Sequence, residues 1–201
     1  MRKWILSLAG LALLAGTALA GQYNKVISVG DKSPAIADIP AVQGDKEATL
    51  NLNDMKEDVV VVVFFANHCP VVTAYEDRVI DFANDYKGKS VKVVAIAVND
   101  IEQDKLPGIK VRVKEKGYPF VYGYDASQKV GKAFGATNTP QFFVLDKDRT
   151  IRYTGALDND MNESKVNKTY VRDAVDALLK GESVEVKETQ PKGCGIQYTK
   201  K

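Results

Sequence analysis

The sequence predicts one α/β domain built around a largely parallel sheet, and three observations predict it. Val59 to Phe65 is an unbroken β-branched and aromatic run, the pattern of a strand buried on both faces. Directly after it, the apolar residues between Pro70 and Lys87 recur at three- and four-residue steps, which is helical spacing. Near the other end, Gln141 to Leu145 and Thr150 to Thr154 flank the polar stretch Asp146-Lys147-Asp148-Arg149, the pattern of a hairpin. The opening strand-helix order also suits a flavodoxin-like sheet, and the closing hairpin disfavours that alternative.

In chain order, Met1 to Ala20 has the three parts of a secretory signal. Arg2 and Lys3 are basic, Trp4 to Leu14 is apolar, and small residues end at Ala18-Leu19-Ala20. The apolar stretch falls short of the ~20 residues that span a bilayer, so a cleaved signal is the reading and Gly21 the expected mature start. A secreted or periplasmic location follows, with no membrane attachment after cleavage. Residues 21–181 form the expected domain and 182–201 a polar tail carrying Cys194. Gly30-Asp31-Lys32-Ser33-Pro34 is an opening turn.

The helix after the first strand carries Val72, Tyr75, Val79, Phe82, Ala83 and Tyr86 on one face. Pro70 suits its first turn, where a missing N–H costs nothing, and Gly88 suits its end. Val91 to Val98 reads as a second buried strand and Pro107 to Lys116 as a helix closed by Gly117. Phe120 to Tyr124 reads as a short strand, and a short helix follows through Val130 and Phe134. The hairpin comes next. The last helix, about Lys165 to Lys180, places Val171, Ala174, Val175 and Leu178 on one stripe and stops at Gly181.

Charge and composition exclude several classes of function. Two of the 28 basic residues and none of the 26 acidic ones precede Gly21, so 26 of each remain after it. That balance gives no general attraction to nucleic acid. His68 is the single histidine and Cys69 and Cys194 are the two cysteines, too few for a four-ligand zinc site of Cys and His. Those three residues leave a sparse copper option, with sulfur ligands that suit Cu(I).

Chemistry concentrates at Cys69, a thiol placed where a buried strand turns into a helix. Unpaired N–H groups and the helix dipole at that position favour a thiolate. The dipole contributes roughly 0.3 to 1 kcal/mol, too little by itself to ionise most of a thiol at neutral pH. His68 reads as a turn residue facing solvent. Cys194 is either a resolving thiol or the partner in a structural bridge.

Phe64-Phe65-Ala66-Asn67-His68-Cys69-Pro70, Gly30 to Pro34 and Asn138-Thr139-Pro140 together resemble the thioredoxin-like superfamily. The nearest resemblance is to redoxin domains of the alkyl hydroperoxide reductase and thiol-specific antioxidant (peroxiredoxin-like) type, over about Val29 to Lys180. A subgroup with Cys-Asn-His-Cys-Pro at the active turn and Gly-Cys near the C-terminus is similar, and Gly193-Cys194 matches its tail. The resemblance implies a thioredoxin-like α/β fold, a central mixed sheet flanked by helices. It also implies a cis bond before Pro140, with Thr139 and Pro140 touching substrate, and catalytic roles for Cys69 and Cys194.

Ala66 replaces the subgroup's first cysteine, so two-thiol Cys-x-x-Cys chemistry is lost at the turn. It also stands where peroxiredoxins commonly carry a threonine. The implied function is an exported thiol-disulfide oxidoreductase or peroxiredoxin-like antioxidant acting on a protein disulfide or a peroxide, with an external thiol reductant and no organic cofactor. The alternative is a non-catalytic thioredoxin-fold module held by a structural Cys69–Cys194 disulfide.

Overall fold

The computed structural model describes residues 21–199; the expected signal segment lies outside the described residues. Seven strands form one mixed sheet in the order β2-β1-β5-β4-β3-β7-β8. The central strand is β3 (Val59–Phe64), parallel to β4 (Val91–Ala97) on one side and antiparallel to β7 (Gln141–Leu145) on the other. Beyond β4 lies β5 (Val121–Tyr124), parallel to it. Beyond β7 lies β8 (Ile151–Gly155), its hairpin partner.

The valine run works because both faces of β3 are covered. Val59, Val61, Val63 and Phe65 join one buried cluster with α1 (Pro70–Asp85), α2 (Leu106–Lys116) and α4 (Tyr170–Leu179). Val60, Val62 and Phe64 join a second with Ile36, Leu50 and the short α3 (Lys129–Phe134). Alternate residues of a strand point to opposite faces, so a strand sandwiched between helices must be apolar throughout.

Two elements depart from the sequence reading. β1 (Ile39–Gln43) and β2 (Lys46–Leu50) form an antiparallel hairpin that extends the sheet past β5, although their mixed composition gives a weak strand pattern. The last helix starts at Tyr170 rather than near Lys165, because Glu163–Lys165 forms a separate 3-10 turn capped by Asn162. On α1 the buried face includes Glu76, which the apolar pattern passes over. Its carboxylate accepts both Arg112 bonds from α2 at 2.7 Å and meets Lys116 at 3.0 Å, the pairing a buried charge requires.

The tail from Glu182 docks on the domain. Thr189 bonds to Thr154 and Ala156 at one end of β8. Gly155, at φ 143°, has no room for a side chain there: a Cβ would stand 2.2 Å from the Thr189 hydroxyl. Farther on, β9 (Cys194–Gly195) pairs antiparallel with β6 (Asn138–Thr139) in a separate two-stranded ladder.

Candidate functional site

The site is built at the C-terminal end of β3. After Phe64 the chain turns through Ala66 to His68, and Cys69 is the N-cap of α1 with Pro70 at its start. The Cys69 N–H donates to the Ala66 carbonyl at 3.2 Å and its own carbonyl accepts from Thr73 at 3.1 Å. A turn pinned at both ends and floored by the buried cluster fixes where the sulfur sits.

Thr139-Pro140 is a cis peptide bond, as the resemblance implied. It brings the Thr139 carbonyl oxygen to 3.2 Å from Cys69 Sγ. The Thr139 hydroxyl is buried without a hydrogen-bond partner.

Cys69 and Cys194 form a disulfide with Cα atoms 6.0 Å apart and a sequence separation of 125. The approach is backbone-deep. Thr139 and Cys194 are direct ladder partners, the Asn138 amide donates to the Gly193 carbonyl at 3.0 Å, and the Ile196 N–H donates to the Thr137 carbonyl at 2.8 Å. A Cβ on Gly193 would fall 2.1 Å from the Thr139 oxygen, so glycine before Cys194 is a steric requirement. The structure thus brings together all four residues the sequence singled out: Cys69, Cys194, Thr139 and Pro140.

Three more side chains, Asp104, Asn99 and Gln128, belong to the site and escaped the sequence reading. His68 does not simply face solvent, as expected. Its ring Nδ1 lies 2.7 Å from an oxygen of Asp104, and its N–H donates to the other carboxylate oxygen at 3.2 Å. Asp104 has no exposed surface. A carboxylate buried so deeply needs partners, and the amide of Asn99 supplies a third at 3.2 Å. Asn99 in turn accepts the Gln197 N–H of the tail at 2.9 Å, so one hydrogen-bonded chain runs from the tail to the residue preceding Cys69.

Gln128 is the third. Buried and held at φ 58°, it donates to the Val98 and Gln197 carbonyls at 2.8 and 3.0 Å. Its side-chain oxygen accepts from the Thr199 N–H and hydroxyl at 2.8 and 2.9 Å. Polar residues 30 to 59 positions from Cys69, serving as clamps, carry no local sequence signal.

Burial also marks the neighbouring face of α1. Tyr75, fully buried and with an unpartnered hydroxyl, has its pKa pushed up to about 12 by desolvation, with the Asp158 charge adding to the effect. The Arg78 guanidinium lies 4.1 Å over its ring and pairs with Asp158. Burial raises the Asp158 carboxyl above its ordinary range, against the pull of Arg78.

Among the described residues no cluster of His, Cys, Asp and Glu is arranged to hold a metal. In this disulfide form the two sulfurs of the copper option are bonded to each other and its imidazole faces Asp104.

Comparison with known proteins agrees with this geometry. The family model described as Redoxin matches residues 28–170. The chain is 36% identical, with a TM-score of 0.78, to the crystal structure of an uncharacterized conserved protein from Geobacillus kaustophilus, over 85% of this chain and 92% of that one. It is 33% identical, also at 0.78, to a hypothetical protein from Sinorhizobium meliloti 1021, over 88% and 97%. The peroxidoxin BcpB from Mycobacterium tuberculosis, 17% identical over 77% and 97% with a TM-score of 0.58, shares the fold. No curated protein matches. A redoxin match over most of the chain, on a mixed sheet that presents a helix-start cysteine to a cis-proline loop, places this protein in the Redoxin family.

Proposed function

We propose that the protein is a two-cysteine thiol oxidoreductase of the thioredoxin fold, with Cys69 as the nucleophile and Cys194 as the resolving thiol. A redox role follows from the family; the assignment of steps to residues is our reading. The observation that carries it is the Cys69–Cys194 disulfide at the start of α1, opposite the cis Thr139-Pro140 bond.

In the cycle, the Cys69 thiolate attacks a peroxide oxygen, becoming a sulfenic acid and releasing an alcohol or water. The Cys194 thiol then displaces water from that sulfur to form the disulfide. With a disulfide substrate, Cys69 forms the mixed disulfide and Cys194 releases the product thiol. Two external thiols return both cysteines to the reduced state. Thr139 and Pro140 line the approach to the sulfur, and no organic cofactor takes part. The sequence of residues 1–20 supports action outside the cytoplasm.

Ala66 cannot act as a second thiol at the turn, so fast release of large disulfide substrates falls to Cys194 alone. Little turnover is therefore expected in an insulin-reduction assay. The test is consumption of hydrogen peroxide or a small disulfide with dithiothreitol as reductant. Wild type is expected to turn over and Cys69→Ser to lose all activity above background. Equal rates for wild type and Cys69→Ser would favour the structural-bridge alternative instead.

A further inference from the structure

Far from the two cysteines, one carboxylate of the tail is wrapped by the start of the domain. Glu188 accepts three consecutive backbone N–H groups, those of Gln22, Tyr23 and Asn24, each at 2.8 Å. The residue before them lies against the same group. A Cβ on Gly21 would stand 2.8 Å from both Glu188 oxygens, so only glycine lets the chain pass this close.

Both sides of this contact are anchored. Glu188 bridges to Thr154 of β8, where the Thr154 N–H donates to the Lys187 carbonyl at 3.1 Å and the Thr189 N–H to the Thr154 carbonyl at 3.0 Å. On the other side Asn24 is buried. Its amide donates to the Phe134 carbonyl at the end of α3 at 2.8 Å, and its oxygen accepts the Val26 and Ile27 N–H groups at 2.9 and 3.1 Å.

What the carboxylate lacks is a cation. Among the described residues Glu188 enters no ion pair. Lys25 is close in sequence, but its ammonium donates to the Gly21 and Gln22 carbonyls at 3.0 and 2.8 Å instead. A half-buried carboxylate gains from a positive partner as well as from N–H donors. The Gly21 nitrogen shares its Cα with the Cβ position above, which puts it within roughly 5 Å of the carboxylate.

We infer that Glu188 is the capture site for the N-terminus of the processed chain. This rests on cleavage after Ala20, read from the sequence of residues 1–20, and not on the redox cycle. A signal peptidase hydrolyses the Ala20–Gly21 peptide bond: the hydroxyl of water goes to the Ala20 carbonyl carbon, and its hydrogen to the Gly21 nitrogen. The new amine takes up a proton at neutral pH and pairs with Glu188. In the uncleaved chain the same nitrogen is a neutral amide and brings no charge. Processing thus fastens the start of the domain to the tail that carries Cys194.

The test uses the exported, purified chain and its Glu188→Gln variant, which keeps an oxygen to accept the N–H groups. Each receives a limiting amount of an acetyl-transferring succinimide ester at pH 7, and peptide mapping follows the Gly21 amine. Pairing favours the protonated, unreactive form, so wild type is expected to label at least threefold slower than Glu188→Gln. Equal rates overturn the capture. Should the variant not fold, the comparison is with a free peptide of residues 21–25. Labelling of wild type at least threefold slower is again expected, and labelling at the peptide rate overturns the capture.

Stability gives a second reading. Acetylating Gly21 is expected to raise the unfolding equilibrium constant of wild type about threefold and to leave that of Glu188→Gln unchanged. The same change in both proteins overturns the pairing. Sequencing the exported chain separates the two premises. A start other than Gly21 overturns the cleavage reading and the capture with it. A Gly21 start with an amine that labels at the peptide rate leaves the cleavage reading standing and overturns the capture alone.

Discussion

Cys69 and Cys194 share a bond but are positioned by opposite means. Cys69 is set by apolar packing: a strand with every residue buried, a helix whose apolar face meets the same cluster, and a proline at the joint. Cys194 is set by polar contacts from scattered positions, among them Asn138, Asn99 and Gln128, on a strand of two residues. The first arrangement is bound up with global stability. The second can be loosened while the domain stands, which makes the tail the adjustable half of the site.

The comparison is broken most directly by changing the packed half. Phe65→Ala, which removes a ring of the Cys69 cluster in edge contact with Tyr118, Phe120 and Tyr122, is expected to cost about 3 to 5 kcal/mol in denaturant unfolding. A loss below ~1 kcal/mol would show that the Cys69 side is not held by its core.

Next in size is the covalent link. Cys194→Ser is expected to lower stability by roughly 2 to 5 kcal/mol relative to oxidised wild type, given the long loop it opens, while circular dichroism stays native-like. Unfolding of the whole domain would make the tail a part of the core rather than an adjustable strap.

Gln128→Ala sharpens the contrast. Removing bonds to Val98, Gln197 and Thr199 is expected to cost about 1 to 2 kcal/mol and to slow formation of the Cys69–Cys194 bridge several-fold after oxidation. Stopped-flow thiol loss would measure the second effect.

The smallest effect lies far from both cysteines, in the β7–β8 loop, as a control. Burial works to raise the Asp146 carboxyl, but the Thr150 N–H, the Arg152 guanidinium and the Asp148 N–H outweigh it and hold the pKa below its ordinary value. A lowered folded-state pKa stabilises above the unfolded value and is lost as pH falls through the folded one. Asp146→Asn is therefore expected to cost about 1 kcal/mol at pH 7, discounted for the partly exposed Arg152. The gap should close as pH drops below about 4, and bridge formation should be unchanged.

Legibility in the sequence followed the same divide. The valine run, the helix beginning at Pro70 and the β7–β8 hairpin are local hydrophobic patterns, and the structure has each within a few residues. Cys69 at a strand-to-helix turn was readable for the same reason. The Pro140 cis bond came from resemblance alone, the pair of cysteines already marked Cys194 as a resolving thiol or a bridge partner, and neither reading showed that the two sulfurs meet.

Asp104, Asn99 and Gln128 were invisible. Each is a polar residue whose burial depends on chain segments distant in sequence, and composition gives no hint of which polar residues will be covered. The β1–β2 hairpin was missed because residues such as Lys46, Glu47 and Thr49 dilute its alternation. Glu76 shows the same limit on a helix face, where a charge stands in the core because Arg112 and Lys116 reach it.

The central claim is that Cys69 is a reactive thiol resolved by Cys194, and trapping its oxidised form tests that most directly. Fully reduced wild type and Cys194→Ser would each receive one equivalent of hydrogen peroxide in the presence of dimedone, followed by peptide mapping. The account predicts a Cys69–Cys194 disulfide with little dimedone adduct in wild type, and a dimedone-labelled Cys69 in Cys194→Ser. An unmodified, fully reduced Cys69 in both proteins would contradict it.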